Sequence, residues 1–261
     1  MPCKYAARTI LKLYFTELYS RVLKYFLKHL IISIPFNDTT LRFLIPTKWV
    51  PQIFRNLDHV LVSCDYFKLA YATPKRGYIV LDIGAFIGFY TIAAAYLVGK
   101  EGKVYAVEPN PEAVSLLITN IKLNKANNVR LYPVAISDRN KVLELYIGYY
   151  GAVSSIIGEH TSKYGGIERI HKVKGITLST LLKHIGIIDV LKIDIEGLED
   201  RVLREAKDEL WRVRNIVVEI HSDVVNAYDI ETLLHEAGFT RLVVYTASDM
   251  PEQIIVYGTR A

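Results

Sequence analysis

The sequence predicts an α/β fold: an open, mostly parallel seven-stranded sheet with one antiparallel strand, helices on both faces and an N-terminal helical extension. From Tyr78 onward, short apolar runs alternate with helical patterns, as expected of a parallel sheet covered on both faces. The last two strand-like runs are joined by a loop too short for a crossover helix, so they must pair antiparallel. Acidic residues end several of the runs, where open α/β sheets bind their ligands.

Residues 1–70 read as the helical extension with a short strand, and 71–261 as the main domain. Residues 18–31 form an amphipathic helix, with Leu18, Tyr19, Val22, Leu23, Phe26 and Leu30 opposite Arg21, Lys24 and Lys28. Residues 4–15 are also helical in pattern, but their basic stripe of Lys4, Arg8 and Lys12 falls near the later segment's apolar face, which predicts either a kink or break near Thr16 and Glu17 or two faces buried against different things. Thr40–Ile45 reads as a strand, followed by loop and helix up to the Pro74–Gly77 turn. Then come strand Tyr78–Leu81, helix Tyr90–Val98, strand Lys103–Val107, helix Glu112–Lys125 and strand Val129–Val134. Val142–Ile147 is an extra strand, followed by a polar loop, helix Leu178–His184, strand Val190–Ile195 and helix Leu198–Glu209. Strand Ile216–Ile220, helix Ile230–Ala237 and strands Arg241–Tyr245 and Gln253–Tyr257 complete the chain.

With 261 residues, 51% hydrophobic and 23% charged, the chain can bury a full core and is neither disordered nor fibrous. Its net charge of +5 sits in residues 1–31, which hold six Lys/Arg against Glu17 alone. The remainder is balanced, which argues against a broad nucleic-acid-binding face. The basic extension is either a helical cap with a solvated side or a helix that docks on a membrane surface or a partner. Residues 22–34 are interrupted by Lys24, Lys28 and His29 well short of a membrane span. Cys3 and Cys64 show no paired spacing, so no disulfide framework or zinc motif is expected; with no signal peptide evident, the expected location is cytoplasmic, or peripheral to a membrane. The scarcity of Gln, Cys and Met leans the composition toward a thermophile.

In VLDIGAFIGFYT, Asp82 ends a strand and Gly84 and Gly88 frame the turn into a helix. A dinucleotide loop requires a middle glycine that lets pyrophosphate reach the main chain, and Phe86 and Ile87 fill that space. S-Adenosylmethionine carries a carboxylate and an ammonium but no phosphate. Asp82 could orient its ammonium, directly or through water, while loop amides take its carboxylate. Glu108, ending the next strand, is placed to accept from ribose hydroxyls.

The loop, Glu108 and the later stretch LKIDIEGLEDRVL at Leu191–Leu203 together resemble the FkbM family of class I S-adenosylmethionine-dependent methyltransferases. The likeness extends through Ala135–Asp138, Ala152–Ser155 and Val218–His221, and covers about residues 70–222. Phe86 departs from the pattern, standing where the family usually has Asn. The resemblance implies a Rossmann-like fold, a cofactor site at Asp82, Gly84, Ala85, Gly88, Glu108, Pro109, Ala135 and Asp194, and S-adenosylhomocysteine as product. It also implies O-methylation of a hydroxyl on a sugar, glycan or other small molecule.

Asp194 and Glu196 end the fourth core strand and point the same way, with Ile195 opposite. Asp194 is the first candidate for base or acceptor-positioning group, His221 the second because an ordinary imidazole titrates near neutrality, and Glu196 the third. Asp194, Glu196 and Glu219 make too weak a set to predict a metal. Glu199 completes the family pattern and otherwise reads as a solvated acid at a helix start. The loop Tyr149–Gly166, with Tyr149, Tyr150 and His160, is long enough for a substrate lid and reads otherwise as a disordered excursion. One alternative is a tRNA base methyltransferase, but Asp194-Ile195-Glu196-Gly197 stands where such enzymes carry an Asn-Pro-Pro-Tyr type motif. The other, a catalytically inactive binding protein, conflicts with the presence of both Asp82 and Glu108.

Overall fold

The computed structural model describes residues 27–260 except Tyr150, Ala152, Gly165, Ser248 and Asp249. The helices expected before residue 27, and their docking role, lie outside this range. A hairpin comes first, β1 His29–Phe36 and β2 Thr39–Pro46, with Asn37 at φ 52° in its turn. His29–Ile31, expected to finish a helix, are therefore strand. Their alternation continues through Ile32, Ile34 and Phe36, which are buried, so the period is that of a half-buried strand. Helix α1 (Val50–Leu57) follows and runs into a wider turn at Asp58–Val62 and a short turn at Asp65–Phe67. Cys64, between these turns, is disulfide-bonded, contrary to the expectation, and the cysteine argument for an intracellular location falls with it. Among the described residues no helix is long and apolar enough to cross a membrane.

The main sheet is built from β3 (Ile79–Ile83), β4 (Lys103–Val107), β5 (Val129–Tyr132), β10 (Ile188–Ile193), β11 (Val213–His221), β12 (Arg241–Ala247) and β13 (Met250–Thr259). Their order is β12-β13-β11-β10-β3-β4-β5, and β13 alone runs against the rest. The connecting helices are α2 (Phe89–Val98), α3 (Pro111–Leu123), α5 (Leu178–Ile185), α6 (Glu199–Glu205) and α7 (Ala227–Glu236). A second sheet, ordered β6-β9-β7-β8, comprises β6 (Ala135–Ser137), β7 (Val142–Gly148), β8 (Ser154–Ser155) and β9 (Ile167–Thr177), with helix α4 (Gly158–Lys163) between the last two. Sequence reading finds only β7 of these. β9 carries Glu168, Arg169, His171, Lys172 and Lys174 and is mostly exposed, so its edge-like chemistry reads as loop.

Strand parity divides the core. Leu81, Ile83, Leu191, Ile193, Ile216 and Val218 face the side covered by α5, α6 and α7. Val80, Val104, Val190 and Val217 face the other side, where α2, α1, the hairpin and the Asp58–Phe67 turns pack in one continuous apolar cluster. By the same parity Asp82, Lys192 and Glu219 also face this second side. The hairpin is tied there by two asparagines one turn apart on α3. Asn120, fully buried, accepts from Leu44 N at 2.7 Å and donates to Ile87 O at 2.8 Å. Asn124 accepts from Arg42 N at 2.9 Å and donates to Arg42 O at 2.6 Å, in a more exposed position.

Asn120→Ala should lower the unfolding free energy by about 1–3 kcal/mol, because the Ile87 carbonyl would lose its partner in a buried position. Asn124→Ala, where water can substitute, should cost about 1 kcal/mol or less. Urea unfolding of the two variants checks this, and equal losses would show that burial at Asn120 is not what anchors the hairpin.

Candidate active site

The site lies at the carboxyl ends of β3, β4, β10 and β11, and its centre is a buried lysine. Lys192 is 2% exposed and stands in register with Asp82 across the β3–β10 pair. Its ammonium donates to Gly84 O at 2.8 Å and lies 3.3 Å from Asp82 Oδ1 and 3.4 Å from Asp194 Oδ2. Burial alone would lower the pKa of this ammonium, but Asp82, Asp194 and Glu219 raise it above its ordinary value, so it is charged. Gly84, at φ +79°, lets the turn after β3 run close against the end of β10: a Cβ there would meet Asp194 O at 1.7 Å. Sequence reading passed over Lys192. Its signal was a lone cation in a strand whose every residue is buried.

Asp82, expected to orient the cofactor's ammonium, has other partners. It is fully buried, does not line the pocket, pairs with Lys192 and accepts from Thr91 Oγ1. The loop amides were expected to take the cofactor's carboxylate. Those of Gly84 and Ala85 instead donate to Val107 O, that of Phe86 to Glu108, and that of Gly88 to Ala85 O. Gly88 begins α2 at φ +98°, its α-carbon packed toward Leu117, and does not line the pocket.

The pocket itself is lined by Gly84, Ala85, Phe86, Glu108, Pro109 and Ala135, with Lys192 and Asp194 at its far end. Glu108 accepts from Phe86 N and Asn110 N, both at 2.8 Å. Burial pushes its carboxyl up to about 7 against the pull of those two amides and of Lys192. Each of its oxygens accepts one of these backbone bonds, which leaves acceptor capacity for a diol. Phe86 holds φ +47°, rare for a bulky residue, and packs near Trp49, with ring centroids 5.7 Å apart. A buried acceptor on one wall and apolar residues on the other fit a ribose with an attached aromatic base.

Beyond Asp194 a second pocket opens, lined by Gln52, Arg55, His160, Glu196, His221 and Asp223 among others; Asp194, Glu196 and Asn56 line both pockets. Asp194 Oδ2 lies 3.1 Å from Tyr66 Oη, whose single proton it shares with Glu219, and burial together with the nearby Glu219 raises its carboxyl to about 6. Burial would also raise Glu219, but His59, at 3.1 Å, and the Tyr66 hydroxyl hold it down to about 2. His59 in turn meets Asp65 at 2.7 Å; burial opposes its charge, yet Glu219 and Asp65 raise it to about 10. Sequence reading missed His59, Asp65 and Tyr66, which lie in a short segment read only as loop and helix. Polar residues interrupting the apolar run DHVLVSCDYF were the available signal.

His221 and Glu196 both reach the second pocket, but His221 is not a near-neutral imidazole. Burial would lower its pKa, whereas Glu196 at 3.3 Å and Glu199 at 3.0 Å raise it well above 6.5. Glu199 is fully buried rather than solvated, and its Oε1 also accepts from Ile195 N and Gly197 N. It thereby holds the turn in which Glu196 takes φ +58°. The stretch expected as a lid is partly structured: α4 places His160, 3% exposed, against Glu196 at 2.7 Å and Asp223 at 3.2 Å. Tyr149 is exposed, and Tyr150 lies outside the described residues.

Residues 82–241 match the family model described as the methyltransferase FkbM domain. Among curated proteins, the chain is 28% identical over 197 residues to the 31-O-demethyl-FK506 methyltransferase FkbM of Streptomyces tacrolimicus, covering 64% of this chain and 74% of that protein. It is 26% identical over 183 residues to the hexuronic acid methyltransferase AglP of Haloferax volcanii, covering 66% and 68%. Among solved structures, the Methanococcus jannaschii fibrillarin pre-rRNA processing protein shares the fold, with a TM-score of 0.50 at 13% identity over 88% of this chain and 82% of that one. The family model spans more than half of the sequence and includes Glu108, Lys192, Asp194, Glu196 and His221. The chain belongs to the FkbM methyltransferase family, and it is an S-adenosylmethionine-dependent methyltransferase of the class I fold.

Proposed function

We propose that the protein methylates a hydroxyl oxygen of a sugar, glycan or other small molecule, with Asp194 as the group that receives the acceptor's proton. The observation that carries this reading is that Asp194 stands between the two pockets and lines both. S-Adenosylmethionine, when bound, supplies an electrophilic methyl on a sulfonium and leaves as S-adenosylhomocysteine. Glu108 accepts from its ribose hydroxyls, while Phe86, Pro109 and Ala135 form apolar wall. Asp194, oriented by Lys192 and Tyr66, faces the acceptor oxygen. Holding that oxygen in line carries most of the rate, and a positioned base adds about 10²–10⁴-fold.

Oxygen as acceptor draws support from the names of two relatives, one an O-methylating enzyme by the designation of its substrate and one acting on hexuronic acid. The balanced charge outside residues 1–31 also favours a small acceptor over tRNA. Incubation with methyl-labelled cofactor against separate glycan, lipid and tRNA extracts should place label in the hydroxyl-bearing small-molecule or glycan fraction. Label in tRNA alone would overturn the choice of acceptor.

Asp194→Asn should reduce single-turnover methyl transfer by about 10²–10⁴-fold while calorimetry still shows cofactor binding; retained turnover would place the base elsewhere. Glu108→Gln should weaken cofactor affinity by about one to two decades. Glu108 also sets a pH dependence. The folded chain keeps its proton up to about pH 7, whereas an ordinary glutamate loses it near 4.5. Its stabilising contribution is therefore present below about 4.5 and lost as pH rises through about 7. Urea midpoints of the cofactor-free protein should show this fall, and Glu108→Gln should remove it; an unchanged slope in the variant would show that Glu108 is not its source.

A further inference from the structure

We propose that His160, Glu196 and His221 form a binding site for one divalent transition-metal ion of zinc character. Their ligand atoms converge. Glu196 Oε2 is 2.7 Å from His160 Nε2 and 3.3 Å from His221 Nε2, and all three atoms lie within 4.8 Å of one another. Ligands of a tetrahedral zinc ion, at about 2.0–2.1 Å from the metal, stand roughly 3.3 Å apart; the Glu196–His221 pair already has that spacing, and the Glu196–His160 pair is closer.

The groups behind the ligands point the same way. His160 Nδ1 meets the carboxylate of Asp223 at 3.2 Å, and His221 Nδ1 meets that of Glu199 at 3.0 Å. Carboxylates on both Nδ1 atoms fix the rings with Nε2 facing inward, the arrangement that orients metal-binding imidazoles and raises their basicity. Both histidines are held rigidly, with ring centroids 5.2 Å apart in an edge-to-face arrangement. Two imidazoles and one carboxylate suit zinc, cobalt or iron better than magnesium or calcium, which prefer all-oxygen sets.

This is not the carboxylate set that the sequence brought to notice. Glu219 also lies near His221 and Asp194, but its Oε2 already accepts from His59 and Tyr66, and Asp194 is engaged by Lys192 and Tyr66. His160 supplies what the sequence reading lacked, from a stretch read only as a lid.

The test is a titration of the full chain, stripped by a chelator, with Co²⁺ and Zn²⁺, using Mg²⁺ as the hard-cation control. The expected result is one Co²⁺ per chain with visible ligand-field bands, displaced by Zn²⁺ and not by Mg²⁺. His160→Ala and Glu196→Gln should each weaken binding at least tenfold. His160→Cys restores a ligand at the same place and should keep binding while adding a thiolate-to-cobalt charge-transfer band, which separates loss of a ligand from loss of fold. Failure of the native chain to form a one-to-one Co²⁺ complex, or equal affinity in the native chain and His160→Ala, would overturn the proposal. Calorimetry with S-adenosylmethionine on the same samples reads the cofactor pocket separately. Cofactor binding without metal binding rejects the metal site alone, and metal binding that tracks the ligand variants supports it whichever acceptor is found.

Discussion

The buried ammonium of Lys192 is the constraint on which the rest of the site depends. Taking an isolated charge out of water costs several kcal/mol even after relaxation, and the penalty is offset only when partners of opposite charge surround it. Here Asp82 and Asp194 flank the ammonium, and Gly84 O accepts from it. The converse holds as well. Without the lysine, Asp82, Asp194 and Glu219 would be three acids crowded on one buried face of the sheet. The parallel register of β3 and β10, which sets Asp82 opposite Lys192, thus does electrostatic as well as structural work. Gly84 is demanded by the same closeness, since the β3 turn passes where a side chain would strike the Asp194 carbonyl.

A second balance is supplied from outside the region that matches the family model. Glu219 stays ionised in a dry environment because His59 and Tyr66 reach it from the turns after α1. Those turns are positioned by packing in the same apolar cluster as the hairpin and α2, with the ring of Phe67 stacked on Tyr90 and that of Tyr66 edge-on to it. The hairpin is in turn held to α3 by Asn120, which also bonds the Ile87 carbonyl in the cofactor loop. The segment before β3 is therefore part of the site's construction. Its polar side chains fix the charge state of the strand ends, and its apolar ones exclude water from them.

The order of strands and helices was legible because burial on both faces leaves near-continuous apolar runs, and the single antiparallel strand followed from loop length alone. The strand-end acids were legible as positions. Their roles were not, because a role depends on the partner across the sheet. Asp82 looks free to meet a ligand until Lys192 is seen in register with it, and His221 looks like a neutral-pH base until Glu196 and Glu199 are seen at its two nitrogens. Glu199 reads as a surface acid because a helix start is usually solvated, yet the loop before it folds back so that its carboxylate caps backbone amides in the interior. β9 was missed for the opposite reason: an exposed strand carries the charge of a loop and signals only through its pairing with β7.

Glu108, Phe86 and Pro109 on the one hand and Gln52, Arg55 and His160 on the other come from different elements, which on the proposed reading sets cofactor binding apart from acceptor choice. Glu108, Phe86 and Pro109 come from the ends of β3 and β4, elements fixed by the central parallel ladder. Gln52 and Arg55 come from α1, and His160 from the excursion between β8 and β9. Asn56, Asp194 and Glu196 line both pockets, and of these Asp194 sits deepest in the charge network, tied to Lys192 on one side and to Tyr66 on the other. A change there alters the charge balance of the sheet end as well as both pockets, so on the proposed reading acceptor selectivity is more freely re-shaped at Gln52, Arg55 and His160 than at the strand ends.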